Sequence, residues 1–196
     1  MERLDVVFAN RYLHALDAFL HGRPSPRSWG VAFDAATSWS PLILQHLLLG
    51  INAHINFDLG IAAAETVSAD QLPSLQHDFD TINTVLASML AKVKADIEEA
   101  SPWVGLLDHV DPSGENAIIG FALDNARANA WLQAALLVRV PRREWPPQLE
   151  VFDRNAALLG HLILHPPGLV LNASLSVIRA RETNDVRRVI DVLSQD

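Results

Sequence analysis

The stretch that decides the fold is Pro41–Glu65, PLILQHLLLGINAHINFDLGIAAAE. It is almost wholly apolar, yet it carries His46, Asn52, His54, Asn56, Asp58 and Glu65, and it contains no Lys or Arg. A run this apolar must be buried, and polar groups taken inside with it must find partners. Ser40 reads as an N-cap and Pro41 as a first-turn residue, so the periodicity predicts a helix over about 41–65. At about 100° per residue, His54 and Asp58 stack on one face with Glu65 near the same line. Asn52 and Asn56 fall nearly opposite. Two polar faces with apolar sides between them predict a central helix that has neighbours on both sides. Gly60 marks a place where this helix bends or ends. His46 lies roughly 12 Å before His54 along a straight helix, too far for both to bind one metal ion.

His-x-x-x-Asp on a helix is workable spacing for metal ligands, because imidazole and carboxylate project side by side and reach an ion at about 2.0–2.2 Å. Without a metal, the same pair is a carboxylate that orients an imidazole for acid–base work. The plain alternative is a hydrogen-bonded core pair that only fixes packing. The asparagines on the other face read as helix bridges, since each carboxamide both donates and accepts.

Composition bounds the rest. The chain has 196 residues, 49% hydrophobic and 19% charged, which fits a single globular helical domain over 1–196. Its formal charge of −8 argues against nucleic acid as a partner. With no cysteine, disulfides, thiolate metal sites and a Cys nucleophile are excluded. The N-terminus has early acidic residues and no small-residue cleavage site, so a cytoplasmic location is expected. The run at 41–64 is long enough to cross a bilayer. Its His, Asn and Asp content and its lack of basic flanks predict a core helix and no membrane span.

Along the chain, residues 2–21 read as an amphipathic helix carrying Leu4, Val7, Phe8, Tyr12, Ala15, Leu16 and Phe19. Trp29 to Thr37 is a second helix, anchored by Trp29 and Phe33. A long helix starts at Ser68 or Asp70 with Pro73 in its first turns, and its charged end closes at Ser101-Pro102. On it, Asp78 and Asn83 sit at the two edges of the apolar face. Trp103–Leu107 forms about one turn. Asn116–Val138 is the next helix, with Asp124, Arg127 and Trp131 on one stripe; a buried Arg127 would need Asp124, Asp78 or Glu65. VPRREWPPQLE reads as a proline-broken loop, followed by a helix from Phe152 to Leu164. His161 and His165 resemble a zinc pair, but His165 precedes Pro166 and is pushed off the helix. Residues 168–180 and 183–194 make two last helices, the second capped by Thr183 or Asn184. His109 and Asp111 lie in a loop. The expected architecture is an all-α bundle of about six to eight helices around 41–65.

The segments HLLLGINAHINFDL, DFDTIN and RANAW together resemble an uncharacterised bacterial family catalogued as domain of unknown function 5995. The resemblance implies that His46, Asn52, His54, Asn56, Asp58, Asp78, Asn83, Arg127 and Trp131 are motif positions. It implies no activity. His-x-x-x-Asp is also similar to the all-helical zinc-dependent phospholipase C and P1 nuclease group. The His that should follow the Asp, a His-x-x-x-Glu and an N-terminal Trp are all absent here, so a full trinuclear site is not expected.

The expected function is an enzyme acting on a small, largely apolar molecule in an interhelical pocket, as a hydrolase, isomerase or cyclase. His54, Asp58 and Asp78 would be catalytic, either as ligands of one divalent metal (Zn, Fe or Mn) or as acid–base groups. His46, Asn52, Asn56, Asn83, Arg127, Trp131 and Trp29 would bind the molecule. The alternatives are a non-catalytic small-molecule binding protein and a helical interaction protein with a structural polar core. The tryptophan-rich loops offer a surface for a homodimer.

Overall fold

The computed structural model describes residues 2–107 and 123–194, and the side chains of all of these except residues 2, 80, 82–91, 94, 123 and 124. The architecture is an all-α bundle. Among the described residues its helices are α1 (Glu2–Leu20), α2 (Arg27–Ala36), α3 (Ile43–Ala53), α4 (Gly60–Thr66), α5 (Leu72–Ala100), α6 (Leu123–Leu137), α7 (Trp145–Leu164), α8 (Leu169–Arg179) and α9 (Val186–Leu193). A π turn, His54–Leu59, joins α3 to α4, so Ile43–Thr66 is one rod of 24 residues. The rod is long and apolar enough to cross a membrane, but α1, α2, α6 and α7 pack around it.

The rod starts slightly later than Ser40-Pro41 implied. Leu42 occupies the N-cap, and the Gln45 side chain accepts its backbone N–H at 2.9 Å. Gln45 also donates to the Ile163 carbonyl at 2.7 Å. One heptad on, Asn52 donates to the Ala156 carbonyl at 2.7 Å. Two carboxamides on one face of α3 thus meet two carbonyls of antiparallel α7, satisfying donors and acceptors that would otherwise be buried alone.

Gly60 does not break the rod; its backbone is α-helical. It is the point of closest approach to α6. A Cβ built there would lie 2.5 Å from the Ala130 carbonyl oxygen and 2.8 Å from Gln133 Cβ. The small residues Ala62, Ala63, Ala126, Ala130 and Ala134 line the same seam and are buried. Small side chains let two backbones approach, and each fully packed contact adds dispersion energy.

Two boundaries differ from the sequence reading. WPPQLE is not a loop but the first turns of α7, with its prolines at the opening positions. A proline there loses no helical hydrogen bond, because the first N–H groups have no intrahelical partner. The cap of α9 is Asp185, whose carboxylate accepts from the Arg187 and Arg188 N–H groups, rather than Thr183 or Asn184. His165 does lie off the end of α7, so His161 and His165 share no helical face. A cap from a distance serves α2: Asp153 on α7 accepts from the Arg27 and Ser28 N–H groups and from the Ser28 hydroxyl.

Candidate functional site

The rod's polar face meets α1 and α2 at Asp58, which is 1% exposed. Trp29 of α2 donates its indole N–H to Asp58 Oδ2 at 2.7 Å. Arg11 of α1 donates Nε–H to Asp58 Oδ1 at 2.8 Å. Arg11 also reaches Glu65 Oε1 at 3.6 Å and lies over the Phe57 ring, 5.4 Å from its centre. The buried carboxylate is therefore compensated by one guanidinium and one indole, as a charge in a low-dielectric interior requires.

His54 sits one turn before Asp58, with Nδ1 3.8 Å from Oδ2. That is ion-pair distance but too long for a hydrogen bond. Nδ1 is fully buried and has no hydrogen-bond partner. The side chain nevertheless keeps 31% of its surface. Phe8 stacks flat on the imidazole at 3.6 Å between centroids, while Trp29 and Tyr12 approach edge-on. His54 is thus clamped in an aromatic box with Nδ1 toward a carboxylate and part of the side chain exposed.

The wider π turn changes which carbonyls are free around this pair. The Asn56 carbonyl, inside the turn, accepts from Gln133 Nε2 of α6 at 2.9 Å. A side chain tied into the carbonyl ladder is one of the recognised causes of a local distortion, and such turns recur at functional sites.

The other sequence candidates divide. Trp29 belongs to the site as a donor to Asp58. Asn52 and Asn56 bond to each other at 3.0 Å on the α7 side. His46 stands elsewhere, half-buried near Arg179, and its pKa is lowered, first by burial and then by that guanidinium. Arg127 is 3% exposed and donates to the Phe79 carbonyl at 3.2 Å, with its guanidinium 4.8 Å from the Phe79 ring centre. Trp131 packs edge-on against the same ring. Glu65, offered by the sequence as one partner for Arg127, is paired with Arg11. The side chains of Asn83 and Asp124, and the whole of His109 and Asp111, lie outside the described residues.

The expected metal set His54, Asp58 and Asp78 is not assembled. Asp78 is half-buried on α5, and among the described residues no three His, Asp or Glu side chains are placed to hold a metal ion. The physical reason lies in Asp58, whose two oxygens are already turned to Arg11 and Trp29. Arg11 was missed by the sequence reading. Its signal was available: Leu4, Phe8, Arg11 and Ala15 follow the i, i+4, i+7, i+11 stripe of α1, so a cation stands at a core position.

Three cavities are described, and neither His54 nor Asp58 lines them. One, about 500 Å³, opens between α6 and α7 and is lined by Asn56, Asn129, Gln133 and Asn155 together with leucines and Phe152.

A family described as "Family of unknown function (DUF5995)" matches residues 1–166. The chain belongs to this family. The DUF5995 match takes in α1 to α7, hence Arg11, Trp29, His54 and Asp58, and stops before α8 and α9. No curated protein and no solved structure matches this DUF5995 chain.

Proposed function

We propose that the protein is an enzyme that uses His54 as a general acid–base, with Asp58 as its orienting carboxylate and no metal between them. The observation that supports this reading is the two-sidedness of the imidazole. A carboxylate oxygen 3.8 Å from buried Nδ1 favours the tautomer with the proton on Nδ1. Nε2 then carries the lone pair that takes a proton from a substrate. Arg11 and Trp29 fix the two Asp58 oxygens, so the carboxylate serves to orient the ring. Phe8 beside the ring gives an approaching molecule an apolar wall, which fits a small, largely apolar substrate undergoing hydrolysis, isomerisation or cyclisation.

Imidazole ¹⁵N NMR at pH 8 tests the chemistry without a known substrate. His54 should carry its proton on Nδ1 in the wild type and lose that bias in Asp58→Asn. A wild-type His54 protonated only on Nε2 contradicts the proposal. Turnover of a panel of esters, lactones and enolisable ketones should fall by a factor of about 10²–10⁴ in His54→Asn.

A second reading, a binding protein without catalysis, is favoured by the carboxamide-lined cleft between α6 and α7. The residues lining it carry no charge, which suits an uncharged ligand with both donors and acceptors. Loss of ligand binding in Asn129→Leu, with His54→Asn unaffected, would select this reading.

A further inference from the structure

α6 and α7 flank the rod yet leave a cleft of about 500 Å³ between them, with Leu132 and Leu136 on one wall and Phe152 and Leu159 on the other. The surface beside the cleft is apolar too. Val151, Leu158 and Leu162 stand exposed along the outer stripe of α7, at i, i+7 and i+11, with Asn155 at i+4. Leu132 keeps 66% of its surface and Leu158 57%. Both helices carry one pattern, Asn-x-x-Leu-x-x-x-Leu, at Asn129, Leu132 and Leu136 and again at Asn155, Leu158 and Leu162. All six of these residues are exposed. Leucines at this spacing, with a polar Asn among them, form the kind of seam that meets another helix and fixes its register.

Size, charge and shape choose the occupant. The exposed parts of Leu132, Leu136, Val151, Leu158 and Leu162 sum to about 450 Å² of apolar surface, the non-polar share of an interface of about 800 Å² per partner. Residues 128–138 and 155–164 hold no Asp, Glu, Lys or Arg, in a chain whose formal charge is −8. Arg154, at the flank, is already paired with Glu150 at 3.0 Å. A charged partner would find nothing here to pair with, whereas two acidic copies can meet here without setting like charges opposite each other. Ridge and cleft also lie side by side, so a twofold axis can seat the α7 ridge of each copy in the cleft of the other. We propose that the α6–α7 face joins two copies of this chain into a twofold dimer. The dimer takes up the cleft, so it and a cleft-bound ligand exclude each other. It does not depend on the acid–base reading at His54, which lies where the rod meets α1 and α2.

The test is sedimentation velocity of the full chain at about 5–100 µM, a range in which interfaces of this size act. At the top of that range the wild type is expected at twice the 21.6 kDa of one chain. Leu158→Glu and Leu132→Lys, both at exposed positions and each checked for fold by circular dichroism, should each weaken the dimer at least tenfold. An equimolar mixture of the two variants should regain it, because the introduced charges are opposite. Val177→Glu, on the exposed side of α8, and His54→Asn should leave the dimer unchanged. A dimer that survives both charged variants, one that Val177→Glu weakens equally, or a mixture that stays monomeric overturns the proposal. So does a wild type that stays single throughout; its flotation with phosphatidylcholine vesicles would then assign the face to a bilayer.

Discussion

The Trp29 indole nitrogen lies 2.7 Å from Asp58 Oδ2, and the His54 Nδ1 lies 3.8 Å from the same oxygen. Two donors therefore compete for one acceptor, and the indole holds it. Trp29→Phe keeps the aromatic box but removes the competitor. In that variant His54 should take the bond through Nδ1–H, and its Nδ1–H proton should move downfield in the NMR spectrum, as a new hydrogen bond to a carboxylate requires. Stability should fall by about 1.5–3 kcal/mol at most, the usual loss for a hydrogen bond to a charged group. An unchanged Nδ1–H resonance would show that the imidazole and the carboxylate do not interact.

Arg11→Met leaves the Asp58 carboxylate buried without its cation. Breaking a buried pair from one side costs about 3–5 kcal/mol, and the low end applies because Arg11 keeps 20% of its side-chain surface. Urea denaturation should show that loss. The double variant Arg11→Met with Asp58→Asn should recover much of it, because no lone charge remains.

Gly60→Ala and Gly50→Ala should have opposite signs. At Gly50 a Cβ meets nothing within 4 Å, so alanine gains about 0.5–1 kcal/mol from helix propensity alone. At Gly60 the new carbon meets a backbone oxygen at 2.5 Å, which cannot swing aside as a side-chain end would. Overpacking of this kind costs about 1–3 kcal/mol and should outweigh the propensity gain in a thermal melt.

His46 gives a pH dependence with a definite sign. Its folded pKa lies below the ordinary 6.5, so below that pH the unfolded chain binds the proton more readily than the folded one. Stability from this residue is full above pH 6.5 and falls as pH drops toward the lowered folded value. Comparing wild type with His46→Gln at pH 7.5 and 5.5 isolates the effect. The wild type should lose more stability than the variant over that interval.

Most of the scaffold was legible because it rests on periodicity. The rod, its two polar faces and the apolar stripes of α1 and α5 follow from spacing alone. The double proline of α7 misled because Pro-Pro marks a loop in most settings, and only the position at a helix start makes it harmless. The π turn was invisible, since one extra residue barely alters an apolar pattern dominated by Ile, Leu and Ala. The site was half legible. His54 and Asp58 share a short segment and could be paired by eye. The Arg11 bond to Asp58 spans 47 residues, and the expectation of a metal took the place of the cation that was there.

The π turn also sets the rotational phase between two separate packing systems. Upstream, Gln45 and Asn52 are keyed to the carbonyls of α7; downstream, Gly60 is keyed to α6 and Glu65 to Arg11. Deleting a single residue between 54 and 59 would turn everything after it by about 100°. Gly60 would swing off Ala130 and Glu65 off Arg11 while the α7 rungs stayed put, so the number of residues in this segment is fixed from both of its ends.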